Sequence, residues 1–299
     1  MPLLRPKIVF DTQILSYVYK STICPADWNA VLRYISKKCR YAISANTLYE
    51  LLAGLAKGDA NHFHENQSRI RLLCQPAGRE FLPTVGDFVR AKVFGLSARK
   101  LDFQPRKLCL WAEVALAATR KSSLQSGVTL HTAGRSKQTY GFDLQLLLKQ
   151  IEEGKQSHSQ RLEGLRQGKL LASTPGSWSR SVLRLLGVPL TDANAKTILI
   201  ALNAAHRYDI SLYEMAKNHA YDFSRHDADW IDSQQLYYLA DSSVRFVTCD
   251  ANIGLRTMNS TQRDRVLSFD ELKVLAMNSI TSASSTNSTK RQRYSESNS

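Results

Sequence analysis

Four acidic residues are spaced so that they could share one task. Asp11 ends the apolar run Lys7-Ile8-Val9-Phe10, and Asp250 ends a second one, Val244-Arg245-Phe246-Val247-Thr248-Cys249. Glu50 and Asp232 sit near the starts of two amphipathic segments, 45–54 and 231–240. Thr12 stands beside Asp11 as a hydroxyl donor. Carboxylates brought together repel: two unit charges about 4 Å apart raise the energy by roughly 4 kcal/mol at an effective dielectric near 20. Protons or a divalent cation must offset that repulsion. An all-oxygen donor set suits Mg²⁺ or Mn²⁺, which keep waters and reach phosphate oxygens. The matching chemistry is phosphodiester hydrolysis, in which one or two metal ions activate water and stabilise the leaving oxygen. Each acid also has an ordinary role open to it. Asp11 and Asp232 could cap the helices that follow, and Glu50 could answer a helix dipole or complete a capping box.

The four converge only if the strands run parallel. Near-continuous apolar runs read as parallel strands covered on both faces, and such sheets bind ligands beyond their carboxyl ends. After the first strand, Ile14, Leu15, Val18 and Tyr19 begin a helix. Pro25-Ala26-Asp27 starts another, with Trp28, Val31, Leu32, Tyr34 and Ile35 inward and Lys37-Lys38 in its last turn. Tyr41-Ala42-Ile43-Ser44 is a short second strand. Asn46 or Thr47 is expected to cap the helix after it, which buries Leu48, Leu51, Leu52 and Leu55.

From about Phe81 to His219 helical periodicity takes over. Helices are predicted over 88–101, 108–119, 142–165, 182–186 and 195–205, with polar breaks at 119–141 and 173–177. The α/β pattern then returns, with strands ending at Cys249 and Phe269 and a closing helix from Asp270. The expected organisation is an α/β domain made of 1–80 and 220–278, a helical insertion or subdomain at 81–219, and a disordered Ser/Thr/Asn-rich tail at 279–299.

A net charge of +14 points to a polyanionic partner, nucleic acid before others. Arg90, Lys92, Arg99, Lys100, Arg106, Lys107, Arg161, Arg166, Lys169, Arg180 and Arg184 place much of that charge in the helical section, and Arg120, Lys121, Arg135 and Lys137 in its polar loop. Cys24, Cys39, Cys74, Cys109 and Cys249 are scattered, which excludes a disulfide framework or a zinc ribbon. The cytoplasm is the expected compartment. No signal-peptide segment opens the chain, and no run of about twenty apolar residues could span a membrane. His62, His64, His131 and His226 show no metal-binding spacing and are expected at the surface.

Phe10-Asp11-Thr12, Ser44-Ala45-Asn46-Thr47-Leu48-Tyr49-Glu50-Leu51-Leu52, Asp232 and Val247-Thr248-Cys249-Asp250 resemble the acidic motifs of the PIN-domain ribonucleases. The resemblance covers about 7–57 and 228–275. It implies a three-layer α/β/α domain with a central parallel sheet and a Mg²⁺- or Mn²⁺-dependent site of three or four acids. Asp11, Glu50, Asp232 and Asp250 would be those acids in order, with Thr248 as the hydroxyl residue the family often places before the last one. The connection between Glu50 and Asp232 is far longer than in small PIN toxins. It leaves Asp227, Asp229 and, less well placed, Asp241 as alternatives to Asp232.

The implied function is a metal-dependent nuclease that hydrolyses phosphodiester bonds, of RNA in preference to DNA. Asp11, Glu50 and Asp250 would hold the metal, and Asp232 would complete the site or orient the attacking water. The basic helical section would grip the phosphates. Two other functions stay open. One is a catalytically inactive PIN-like module that binds nucleic acid or a protein, inhibitory or scaffold. The other is a protein-interaction role for the helical section, with the nuclease fold as its scaffold.

Overall fold

The computed structural model describes residues 5–57, 59–96, 103–119, 124, 128–130, 138–140, 144–169, 174–218 and 229–279. β1 (Lys7–Phe10) lies at the centre of a five-stranded parallel sheet, with β2 (Arg40–Ile43) and then β3 (Glu80–Phe81) on one side. A separate antiparallel pair, β4 (Val128–Leu130) and β5 (Gln138–Tyr140), stands outside it. β6 (Val244–Thr248) and β7 (Val266–Ser268) complete the sheet on the far side of β1. Val9 is level with Ala42 of β2 and Phe246 of β6, and Phe10 with Val247. Strand order therefore reverses between β1 and β6, the position at which open α/β sheets form their ligand crevice.

Alternation along the strands feeds two cores. Ile8, Phe10, Tyr41, Ile43 and Val247 enter one; Val9, Ala42, Val244, Phe246 and Val266 enter the other. The first is covered by α1 (Thr12–Tyr19), α2 (Pro25–Lys38), α3 (Ala45–Lys57) and α4 (Ala60–Leu73). α5 (Val85–Phe94) turns to the second core, and α6 (Phe103–Ala117) returns to the first. α7 (Leu144–Arg166) serves both, with Leu147 and Ile151 in the first and Leu162 and Leu165 in the second. α8 (Pro175–Leu186), α9 (Asp192–Ala201) and α10 (Asn203–Lys217) lie on the second. α11 (Asp229–Gln235) runs into a 3-10 turn, Leu236–Ala240, ahead of β6, and α12 (Ala251–Arg256) follows it. A last helix, α13, covers 269–279 and returns Leu272 and Ala276 to the first core.

The result is an α/β protein with helices on both faces of its sheet, compatible with three layers. α5, α8, α9 and α10 share the core of Val9, Ala42 and Phe246, so much of 81–219 forms the helical layer over one sheet face. No helix among the described residues is long and apolar enough to cross a membrane. None of the five cysteines is in a disulfide.

Several elements differ from expectation for local reasons. Phe81 belongs to edge strand β3, whose two residues pair with Ala42 and Ile43. The polar loop at 119–141 contains the β4–β5 hairpin, whose three-residue strands are too short to show a period. α5 stops at Phe94, short of 101, because Gly95 adopts φ 64° and its N–H bonds the Ala91 carbonyl. α8 begins inside the expected break at 173–177: Thr174 caps it by accepting from the Ser177 N–H, and Pro175 fills its first position. The single helix expected over 195–205 is broken at Leu202. There Gln262 accepts from the Ala204 N–H at 2.9 Å and donates to the Ala201 carbonyl at 2.8 Å.

Candidate active site

The two edges of the sheet carry opposite arrangements of charge. At the amino edge, buried Lys7 pairs with Glu80 (3.0 Å) and lies 3.9 Å from Asp241, which also receives Lys92 at 2.9 Å. Burial works to raise Asp241, but Ser243 and Lys92 outweigh it and hold the carboxyl down at about 2. Asp241 is thereby removed as an alternative site acid.

The carboxyl edge gathers acids. β1 ends at Phe10 and α1 starts at Thr12, so Asp11 alone makes the corner, its N–H bonded to the Val247 carbonyl at 2.9 Å. Asp11 occupies the N-cap position, yet its side chain makes no capping hydrogen bond. Instead the Thr248 hydroxyl donates to Asp11 Oδ2 at 2.8 Å. Thr248 Oγ1 in turn accepts the Asp250 N–H at 2.9 Å, so one threonine joins both strand-end aspartates. Thr12 Oγ1 lies 3.2 Å from Asp11 Oδ1 and 3.0 Å from Glu50 Oε2. A hydroxyl has one hydrogen, so a proton on either acid satisfies both contacts at once. Asp250 does cap its helix, accepting from the Asn252 N–H at 2.7 Å.

Glu50 lies beyond the first turn of α3, where dipole and capping-box roles act. The cap of α3 is neither Asn46 nor Thr47 but Ser44, which accepts from the Thr47 N–H at 3.0 Å. Thr47 turns inward and donates to the Phe10 carbonyl at 3.1 Å. Gln235 closes the circuit, donating to Thr47 Oγ1 at 2.9 Å and accepting from Ser44 Oγ at 2.8 Å. This buried ring ties the ends of β1 and β2 to α3 and α11, and so sets Asp11, Glu50 and Asp232 relative to one another. No motif announces it.

Asp232 is held in the first turn of α11 from behind. Its neighbour Ser233 donates to buried Asp209 at 2.7 Å, and Trp178 donates to the same carboxyl at 2.8 Å. Asp229 makes a buried ion pair with Arg256 at 2.9 Å, and Arg256 also donates to the Tyr208 hydroxyl. With its carboxylate committed there, Asp229 is a poor substitute for Asp232; Asp227 lies outside the described residues. Burial raises Asp232 well above its ordinary value, and Asp11, Glu50, Asp229 and Asp250 push it further. Burial also raises Asp11, opposed in part by the Thr248 and Thr12 hydroxyls. Burial, then nearby Asp11 and Asp270, drive the Cys249 thiol up to about 11, which disfavours its thiolate. His158 on α7, which sequence reasoning passed over, is driven by burial down to about 4 and stays neutral despite nearby Asp229.

The donor set is therefore carboxylate and hydroxyl oxygen, which suits a hard divalent cation. Among the described residues, no group of three or more His, Cys, Asp or Glu side chains is poised to hold a metal ion. Asp11 and Glu50 are joined through Thr12, and Asp11 and Asp250 through Thr248. A cleft of about 510 Å³ opens beside Thr248, Cys249 and Asp250, between α12 and β7. His62 and His64 are exposed on α4; His131 and His226 lie outside the described residues, as do Arg99, Lys100, Arg120, Lys121, Arg135 and Lys137. Part of the remaining basic charge is already paired, Lys92 with Asp241, Arg166 with Glu163 and Arg180 with Asp192. Compared with protein-family models, curated proteins and solved structures, the chain matches none.

Proposed function

We propose that this chain is a divalent-metal-dependent nuclease of the PIN type that hydrolyses phosphodiester bonds, of RNA in preference to DNA. One observation carries the reading. Asp11 is joined to Glu50 through Thr12 and to Asp250 through Thr248, so acids from both ends of the chain share hydrogen-bond partners, and burial, then Asp11, Glu50, Asp229 and Asp250, raises the Asp232 carboxyl. Asp11, Glu50 and Asp250 are the residues that would hold Mg²⁺ or Mn²⁺. When bound, the cation supplies neutralisation of the acids and Lewis-acid polarisation of the phosphate and the attacking water. Asp232 would complete the site or orient the attacking water. Thr248 orients Asp11 through its hydrogen bond and offsets part of the rise that burial imposes on it. Arg106, Lys169 and Arg184 are exposed on the helical section and available to phosphates, so binding weakens steeply with added salt.

A second reading has an observation in its favour. Three ligating side chains are not poised together among the described residues, and Asp250 is engaged as a helix cap. A catalytically inactive module that binds nucleic acid or a protein partner fits those two facts. Cleavage of single-stranded RNA and DNA in Mn²⁺, wild type against Asp11→Asn, separates the readings. The nuclease reading expects RNA cleavage by the wild type that Asp11→Asn loses. Equal residual cleavage by both proteins overturns it, and RNA binding without cleavage then supports the inactive module.

A further inference from the structure

A cavity of about 260 Å³ lies between α3, α7 and α11, away from the acids' own hydrogen bonds. Its walls include Asn46 and Tyr49 of α3, Gln150 of α7, and Trp230, Ile231 and Gln234 of α11. Thr84, Val85 and Gly86 at the start of α5 add to the wall, and two of the contributing helices, α3 and α11, are those that carry Glu50 and Asp232. Tyr49 immediately precedes Glu50, and Trp230 and Ile231 immediately precede Asp232. The cavity and the acids are thus built in part on the same two helices.

Three features of the lining define its chemistry. Two aromatic side chains, Tyr49 and Trp230, line it, and Tyr49 also packs on Trp111 with ring centroids 5.9 Å apart. Three carboxamides, Asn46, Gln150 and Gln234, also line it, and Asn46 donates to the Gln234 oxygen at 3.5 Å. The Trp230 indole N–H is buried and has no acceptor among the described residues, a costly state unless a ligand supplies one. Trp230 is also held in place. A Cβ built on Gly154 of α7 would fall 2.6–3.0 Å from its six-membered ring, so the glycine exists to let the indole lie against the helix. The volume is below that of a drug-sized site, about 300 Å³ and upward, and matches a single ring system.

We propose that this cavity binds one unstacked nucleobase of the polynucleotide substrate and so sets base preference beside the scissile phosphate. Planar faces plus carboxamides that read a Watson–Crick edge are the means by which proteins recognise splayed bases. The proposal rests on the nuclease reading for its link to cleavage, but binding of the base needs neither metal nor phosphate.

The test is titration of the full chain with the four uncharged ribonucleosides in EDTA, following the Trp230 indole N–H by NMR and assigning it with Trp230→Phe. A saturable shift with at least one nucleoside is expected. Gly154→Ala, which displaces the ring without touching an acid, and Gln234→Leu should each weaken that binding about tenfold, the effect of losing one stacking surface or one base contact. No saturable shift with any nucleoside overturns the proposal, as does unchanged affinity in both variants. The two readings fail separately. A Trp230 shift in a protein that never cleaves RNA leaves the base site standing and removes the nuclease. Cleavage whose base preference is the same in wild type, Gly154→Ala and Gln234→Leu keeps the nuclease and removes the base site.

Discussion

The Arg256–Asp229 pair joins α12, which follows Asp250, to α11, which carries Asp232. Both side chains are nearly inaccessible, at 5% and 7% exposure, and meet at 2.9 Å. Replacing Arg256 with Met keeps the bulk of the stem and removes the charge. Asp229 is then left buried without its cation, a change that costs about 3–5 kcal/mol in folded proteins. For a domain of this size each kcal/mol lowers the melting temperature by about 2–4 °C, so the expected fall is roughly 6–20 °C. The double variant Arg256→Met/Asp229→Leu removes both charges and should recover most of the loss, because the penalty lies in the unpaired ion rather than in the missing bond. Urea unfolding of wild type, both single variants and the double variant gives the coupling directly. A loss below about 1 kcal/mol in Arg256→Met, or a double variant as unstable as the sum of the singles, would refute the claim that this pair fastens the two acid-bearing segments.

Thr248→Val keeps the shape but removes a donor to Asp11 and an acceptor for the Asp250 N–H, and should cost about 1–3 kcal/mol by urea unfolding; a loss under about 0.5 kcal/mol contradicts the bridging role. Gly54→Ala would bring a Cβ to 2.7 Å from the Asn66 side chain where α3 meets α4, and should destabilise by about 1–3 kcal/mol in the same assay, while a neutral result would show that Asn66 can move aside. The pH profile separates two edges of one sheet. Asp232 and Asp11 are raised, chiefly by burial, so their contribution is full below the unfolded value of about 4 and is lost as pH rises through the raised folded values. Asp241 is held down at about 2 by Ser243 and Lys92 against burial, so its contribution is present above about 4 and is lost as pH falls toward 2. Metal-free wild type should therefore lose melting temperature from about pH 4 to neutrality more steeply than Asp232→Asn, and superimposable profiles would contradict the assignment.

Much of the scaffold was legible because burial on both faces writes itself into composition. β1 and β6 read as strands since Ile8, Val9, Phe10, Phe246 and Val247 are all buried. The positions of Asp11 and Asp250 followed from those strands, as did their common edge. β3 was not legible: two residues carry no period, and they form a strand only because β2 offers an unpaired edge. The break at Leu202 depends on Gln262, a partner some sixty positions away that no local window contains. The circuit of Ser44, Thr47 and Gln235 was missed for the same reason, Thr47 being expected only as a helix cap. Each looks like an ordinary polar residue near a helix, and only tertiary packing turns the three into one buried circuit. The expected roll of basic residues overstated the charge open to a ligand, because pairing of Lys92, Arg166 and Arg180 is set by where their partners fold.

The central claim is that a divalent cation relieves the mutual repulsion of these acids. Calorimetric titration of Mn²⁺ into the full chain near neutral pH, repeated in two buffers of different ionisation enthalpy, yields both affinity and proton release. Saturable binding accompanied by proton release is expected, since carboxyls raised by burial and by one another must give up protons to ligate a metal. Asp11→Asn and Asp232→Asn should each weaken that binding by about tenfold or more. Equal Mn²⁺ uptake by wild type and both variants, or none by the wild type, would contradict it.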